Sequence, residues 1–449
     1  MNPIQSILGT PLTQRAGAML LMLFVSTPSL ALDFGPDGMF SFTGFAQFAT
    51  TQQGSYCLNC QVADRNAPKH LRAADAIIPG RAYGDATTTN WQVQPYLKAQ
   101  IDLGGGYKLA GLLSQRWRKG TVNGSDPEIR YGGTVDVPDY WYEKNLALRH
   151  EDYGQLIIGS MVSRAYAESN YPYGGNLGLS DAWGATGAGY GMLANAIRMG
   201  TRNFDVADGD LYLEATYDQG NTNFTRLKPS FLELYAQYRG GSLALDLMYQ
   251  DGINGGAGAW GQSPFSGVTP FSADDANLAF KGNRQSIALL LARYQTDNRI
   301  ELSAGLRRNQ WSGADLVFAN NYTTVFNADF NTPVGTGFKG YAASSLDILL
   351  GARYFMGPWT FSTGMVHHGT AETNNPSDRG QTNSALINTF GAAYNFGNGW
   401  KFETTVGMVR YAKLGLSPMS MPGNASATNV DSRIATDGRW LTVGMVYSF

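Results

Sequence analysis

The feature that most constrains this chain is the alternation of apolar and polar residues along short segments bounded by turn residues. Between Trp91 and Leu103, apolar side chains occupy the odd positions and mostly polar ones the even positions. Successive side chains of a strand point to opposite faces of a sheet, so this segment has one apolar and one polar face. The same pattern over 231–239 and 242–251, separated by Gly240 and Gly241, predicts a β-hairpin.

Segments of this kind predict sixteen strands. They cover residues 39–50, 91–103, 107–118, 139–150, 155–162, 194–201, 210–217, 231–239, 242–251, 284–295, 299–310, 345–354, 359–368, 385–394, 400–411 and 439–449. The connections between them alternate between short and long. Short turns at one rim and long loops at the other are typical of outer-membrane barrels.

The interior of the chain contains no run of about 18 apolar residues, the length expected of a transmembrane helix. A membrane protein of this sequence would therefore span with strands, which must close because an open edge leaves unpaired backbone groups in hydrocarbon. Sixteen strands leave an aqueous lumen, which suits inward charges such as Lys98, Glu233 and Asp246. The predicted fold is all-β, a sixteen-stranded antiparallel transmembrane β-barrel. The alternative is a soluble all-β protein with one solvated face.

Residues 1–31 have the pattern of a secretory signal peptide. Arg15 precedes the apolar run 18–25, and Ser29-Leu30-Ala31 supplies small residues at a cleavage site. We expect residues 32–449 to form one barrel domain. The formal net charge is −2, and loss of Arg15 makes it −3, so the chain offers no basic field for nucleic acid.

One block of the sequence carries a more specific pattern. It runs through Asn-Leu-Ala-Leu-Arg at 145–149, Tyr-Gly-Gln-Leu-Ile-Ile-Gly at 153–159, a long loop, and Asn-Ala-Ile-Arg-Met at 195–199. This block resembles the Gram-negative general porins, the trimeric sixteen-stranded diffusion channels, most closely those of β-proteobacterial type. Weaker likeness extends over nearly the whole mature chain. Phe449 matches the C-terminal Phe that serves that family as an assembly signal.

The resemblance implies a homotrimer in the bacterial outer membrane that lets small hydrophilic solutes and ions diffuse passively, without cofactor or catalysis. It also implies that the loop after the fifth strand, residues 163–191, folds into the barrel and narrows the pore. Two departures affect the charge of that pore. Ser160 follows Gly159 where many such porins have Arg, and the tip at 172–175 lacks the family's Glu.

Charged residues of inward phase are candidates for the narrowest part of this pore. They are the cations Lys98, Arg116, Arg118, Arg149, Arg198 and Arg164, and the carboxylates Glu168 and Asp181. Opposed charges across a narrow passage create a transverse field that sorts ions by sign. The alternative is that they are ordinary solvated residues of the lumen.

Cys57 and Cys60 lie in the long first loop, and we expect them to form a small disulfide in an oxidising compartment. Covalent haem attachment would require His where Gln61 stands. Zinc would require two further ligands, and only His70 is near. The sequence therefore predicts no cofactor and no metal.

The sequence carries no Gly-x-Ser-x-Gly motif, and its four histidines have no obvious nucleophile partner, so we expect no enzyme activity. Two alternative functions stay open: a substrate-selective channel of the same fold, and a barrel with an adhesion or redox-partner role through the Cys57 loop. Aromatic residues near strand ends, among them Trp359, Trp400 and Trp440, suit interfacial girdles that face lipid headgroups.

Overall fold

A computed structural model describes the chain at residues 32–53, 86–122, 128–131, 141–184, 192–219, 228, 230–253, 284–296, 299–312, 342–370, 372–373, 384–411 and 437–449. These residues form one closed antiparallel sheet, and the predicted sixteen-stranded barrel is confirmed. Three short strands, at Leu32–Phe34, Phe204–Val206 and Glu372–Thr373, extend the sheet at its rims.

The barrel strands follow one another in chain order. They are β1 (Phe40–Gln53), β2 (Ala86–Gly104), β3 (Tyr107–Ser114 and Arg116–Val122), β4 (Glu128–Tyr131 and Glu143–His150), β5 (Gly154–Val162), β6 (Met192–Gly200), β7 (Gly209–Asp218), β8 (Ser230–Gly240), β9 (Leu243–Ile253), β10 (Arg284–Thr296), β11 (Ile300–Ser312), β12 (Ala342–Met356), β13 (Trp359–His368), β14 (Ala385–Gly397), β15 (Trp400–Tyr411) and β16 (Asp437–Ser448).

The sheet closes where β16 pairs with β1, with Ser448 opposite Phe45. At the end of this seam, the Gly44 amide donates to the Phe449 carbonyl at 2.7 Å, and the Phe449 amide donates to the Gly44 carbonyl at 3.0 Å. The last strand therefore satisfies the backbone groups of the first. A sheet that spans hydrocarbon must pair its edge backbone groups, and this pairing does so.

The two faces of each strand differ as the alternation predicts. On β11, Glu301, Arg307 and Asn309 are buried on the inner face, whereas Leu302 and Leu306 are exposed on the outer face. Exposed apolar side chains recur around the barrel. An outer surface of this kind suits lipid, and the inner face surrounds a lumen.

Tight turns such as Gly105–Gly106, Gly241–Ser242, Gly357–Pro358 and Asn398–Gly399 lie at one end of the barrel, which we call the short-turn rim. Trp359 and Trp400 are exposed near this rim, as a lipid-facing girdle requires. The prediction for Trp440 is wrong. Its ring is buried on the inner face, where it fills the space beside Gly407. Trp440 is two residues from inward-facing Thr442, so its side chain points to the same face. The alternation of the strand therefore decides its orientation, although it lies near the strand end.

Candidate functional site

Residues 163–184 leave β5 and cross the lumen, and we call them the constriction segment. The segment begins with a short helix, α1 (Arg164–Glu168), followed by further turns up to Gly184. The Ser163 hydroxyl accepts the Tyr166 amide at 3.3 Å, which caps the first turn. The Glu233 carboxylate of β8 accepts the amides of Arg164 and Ala165 at 2.8 and 3.0 Å. The start of the segment is thus tied to the barrel wall.

The remainder of the constriction segment is seated on an apolar part of the inner wall. Leu177, Leu179 and Trp183 are at most 1% exposed and pack against residues of β10 to β15. Glycines make room for them: a Cβ on Gly351 would lie 2.2 Å from Leu177 Cδ1, and one on Gly305 would lie 2.7 Å from the Trp183 ring. Because these glycines have no side chains, the wall has an apolar recess here, which we call the seat. The segment therefore lies close against the wall.

Hydrogen bonds from the wall fix the backbone of the seated segment. Arg307 of β11 donates to the Trp183 carbonyl at 2.6 Å and pairs with Asp347 of β12 at 2.9 Å. His368 of β13 lies 3.2 Å from the same carboxylate. On β14, the Thr389 hydroxyl donates to the Leu177 carbonyl at 2.6 Å. The segment is therefore bound to the wall at both polar and apolar contacts.

Sequence reasoning missed this seat because it expected a polar inner face throughout. The inward apolar residues are Ile287, Leu289, Leu291, Leu349, Val366 and Ile387. A signal was present in β10, where residues 287–292 are apolar without interruption. An uninterrupted apolar run is typical of a strand that is covered on both faces.

Two of the predicted cations meet at one carboxylate on the opposite side of the segment. Arg164 donates to both oxygens of Glu214 at 2.8 Å, and Arg198 lies 3.1 Å from the same group. Arg198 is also 3.7 Å from Glu233 and only 5% exposed. The charges of Arg164 and Arg198 are therefore largely compensated within the wall. The sequence did not identify Glu214 as their partner.

Arg116 lies on the inner face of β3, near this group. Its Nε donates to Gln94 Oε1 at 2.5 Å, and its guanidinium lies 4.5 Å from the centre of the Tyr142 ring. The Glu143 carboxylate interacts electrostatically with the guanidinium groups of Arg116, Arg164 and Arg198. The structure thus brings three of the predicted cations to one side of the lumen.

Glu168 is the last residue of α1 and lies near a second charged group, formed by Asp246 and Arg239. Burial raises the pKa of its carboxyl to about 7, and the Asp246 carboxylate adds to the rise, while Arg164, Arg239 and Arg293 oppose it. Asp246 itself is fully buried, paired with Arg239 at 2.9 Å, and accepts the hydroxyl of Tyr173 at 2.9 Å. Glu168 therefore exchanges its proton near neutral pH at the edge of the constriction segment.

The other predicted residues do not gather at the segment. Lys98 and Arg149 are exposed on the inner faces of β2 and β4, and Arg149 lies two residues from a short turn. The side chains of Arg118 and Asp181 lie outside the described part of the chain, as do Cys57 and Cys60 and residues 185–191. The predicted set is thus divided between the segment and the short-turn rim.

The described part of the chain contains no group of three or more His, Cys, Asp or Glu side chains arranged to hold a metal ion. It also contains no helix with the length and apolarity to cross a membrane.

Several solved structures share the fold over nearly their whole length. An anion-selective porin from Comamonas acidovorans is 14% identical with a TM-score of 0.52, covering 91% of this chain and 99% of that one. Outer-membrane expressed OmpT of Vibrio cholerae is 11% identical, with a TM-score of 0.52 and coverage of 93% and 100%. The outer membrane channel DcaP of Acinetobacter baumannii is 10% identical, with a TM-score of 0.51 and coverage of 93% and 99%.

No protein-family model and no curated protein matches the sequence. At the identities of the solved structures, the likeness is one of fold. It supports a porin-like barrel and leaves the β-proteobacterial type as a prediction from the sequence.

Proposed function

We propose that this chain forms a water-filled channel of the bacterial outer membrane, through which small hydrophilic solutes and ions diffuse passively. One observation carries the proposal: residues 163–184 are anchored inside a lumen that still exposes charged side chains. Hydrogen bonds and apolar contacts anchor the segment on strands between β7 and β15, and Lys98 and Arg149 are exposed on β2 and β4. The passage runs between that wall and the segment.

A diffusion channel needs neither an energy source nor a catalytic group, and the proposal includes no chemical step. The constriction segment sets the size limit because its seat and its polar anchors hold it in the lumen. Charges beside it, including Arg116 and Glu168, act on permeating ions across a short, partly dehydrated distance.

Swelling of proteoliposomes in sugars of increasing size tests this proposal. We expect rates that decrease smoothly from arabinose to sucrose to raffinose, because a fixed constriction discriminates by size. Swelling with one solute class only would replace the general channel with a substrate-selective one. Liposomes that do not swell in any of these sugars would contradict the proposal.

The resemblance of residues 144–219 to trimeric porins supports a homotrimer, and the pattern of residues 1–31 supports export by a signal peptide. We expect the unheated protein to migrate as a heat-sensitive trimer in mild detergent. We also expect the exported chain to begin at Leu32 when its N-terminus is sequenced. A monomer band, or an uncleaved N-terminus, would contradict the corresponding part.

A further inference from the structure

Three exposed cations lie on the lumen face of β2 to β4: Lys108 and Arg149 near the short-turn rim, and Lys98 farther along the wall. We call them the cation track. Lys108 and Arg149 are direct partners across the β3–β4 ladder. Lys98 is opposite Leu112, four residues along β3 from Lys108. At about 3.3 Å per residue, Lys98 lies about 13 Å from Lys108 along the wall, towards the constriction segment.

The cation track differs from the paired arginines of the lumen because its members form no ion pair among the described residues. Elsewhere on the wall, four buried carboxylates pair with arginines. These pairs are Glu214 with Arg164 and Arg198, Asp246 with Arg239, Glu301 with Arg353, and Asp347 with Arg307.

Two acids are near the track by register, and neither reaches ion-pair distance. Asp102 is opposite Lys108, but its Oδ1 accepts the Gly104 amide of the turn at 2.7 Å. Asp33 is opposite Ser41, whose other partner is Lys98. Like charges directly opposite one another destabilise a sheet modestly, so an anion between Lys108 and Arg149 would relieve their repulsion.

Glu151 and Asp152 follow Arg149 in the adjoining turn and form no ion pair with it among the described residues, whereas other acids of the same rim are more distant. Asp205 and Asp210 are partners on the β7 side, and both are exposed. At about 4.8 Å between neighbouring strands, β7 lies about 14 Å from β4, which carries Arg149, and about 19 Å from β3 along the wall. In about 0.1 M salt both separations exceed the Debye length of about 10 Å.

We propose that the cation track is a binding and transit site for oxyanionic groups, carboxylate or phosphate, carried by solutes in the lumen. The Arg149 guanidinium can donate to two oxygens of one oxyanion, and Lys108 beside it supplies a second, more compact charge. Lys98 offers the next cation on the way to the constriction segment. The inference rests on the proposed function, because a solute reaches the track only through an open lumen.

Ion selectivity in a planar bilayer tests the track. The full chain is measured as wild type, as the variant Lys98→Gln, Lys108→Gln, Arg149→Gln, and as the control Arg202→Gln, Arg299→Gln. The control removes two exposed cations of the same rim that are not part of the track. Reversal potentials are recorded in gradients of potassium phosphate and of potassium chloride at pH 7.5.

A unit charge about 7 Å from an ion's path in water changes the local occupancy of that ion about two- to threefold. We therefore expect the phosphate-to-potassium permeability ratio to fall at least about threefold in the triple variant and less than about 1.5-fold in the control. Chloride has no oxygen atoms to accept two parallel hydrogen bonds from the guanidinium, so the chloride-to-potassium permeability ratio should fall less than the phosphate-to-potassium ratio.

Several results would overturn the inference: an unchanged ratio in a conducting triple variant, an equal loss in the control, or equal losses for phosphate and chloride. If the triple variant gives no channel, Lys108→Gln alone is measured, with an expected loss of about twofold, and an unchanged ratio again overturns the inference. A wild type that does not conduct contradicts the proposed function instead, so the two failures are distinguishable.

Discussion

Arg307 links the C-terminal end of the constriction segment to the barrel wall by hydrogen bonds and by a contact with an aromatic ring. Its guanidinium donates to the Trp183 carbonyl and to Asp347, and it lies 4.6 Å from the centre of the Trp183 ring. Both charged side chains are at most 3% exposed. A buried pair of this kind contributes little net stability, but removal of one partner leaves the other charge uncompensated.

Replacing Arg307→Met should therefore destabilise the barrel by about 3–5 kcal/mol, because Asp347 would keep a buried charge without its main partner. The matched control is Arg308→Met on the next position of β11, whose side chain is exposed on the outer face. We expect the control to change stability by less than about 0.5 kcal/mol. Urea unfolding in detergent micelles measures both, and equal effects would contradict this role of Arg307.

For the proposed channel, Glu168 predicts a pH dependence of ion selectivity with a defined sign. Its pKa is raised to about 7, so the carboxyl is mostly neutral at pH 5.5 and ionised at pH 8.5. The added negative charge should raise the cation-to-anion permeability ratio about twofold over that range. Glu168→Gln should flatten the change. Reversal potentials at both pH values provide the measurement, and an identical pH dependence in the variant would rule out Glu168 as its source.

The charged residues also show how far single positions could be predicted. Alternation predicts the inward phase of Arg116 and Arg198 because phase is a local property of a strand, whereas Arg164 enters the predicted set through the loop after the fifth strand. Their partners depend on which strands become neighbours and in which register. Glu214 meets Arg198 because Thr216 is opposite that arginine on β7, a relation that the local pattern does not contain.

At the scale of elements, the strands were predictable and the seat of the constriction segment was not. The bilayer requires an apolar outer face on every strand, so the alternation that marks the strands survives around the barrel. The bilayer does not constrain the polarity of the inner face in this way. Leu289 and Leu349 are apolar because residues 163–184 cover them, and that cover arrives from a part of the chain more than a hundred residues away.

Gly351→Val tests the seat directly. The new Cβ would meet Leu177 Cδ1 at 2.2 Å, so we expect the segment to shift from the wall and the barrel to lose about 1–3 kcal/mol of stability. Open-channel current noise should rise because the constriction is less firmly held. Ala352→Val, on the adjacent outward position, should leave both quantities unchanged. Quiet currents and unchanged unfolding of Gly351→Val would contradict the seat.

For the whole molecule, closure and constriction have separate causes in the sequence. The even number of alternating strands, joined where Gly44 pairs with Phe449, closes the barrel around a lumen. Glycines on β11 to β13 and the anchors Glu233, Arg307 and Thr389 then hold residues 163–184 inside it. The alternation that closes the barrel is visible in the sequence as a repeated pattern. The contacts that hold residues 163–184 form only after the strands are assembled.

Single-channel recording of the purified wild-type chain in a planar bilayer tests the central claim most directly. An open lumen narrowed by a fixed segment should give discrete current steps that increase linearly with voltage and with salt concentration. A bilayer that contains the folded protein and shows no current steps would contradict the claim that the barrel encloses a continuous aqueous passage.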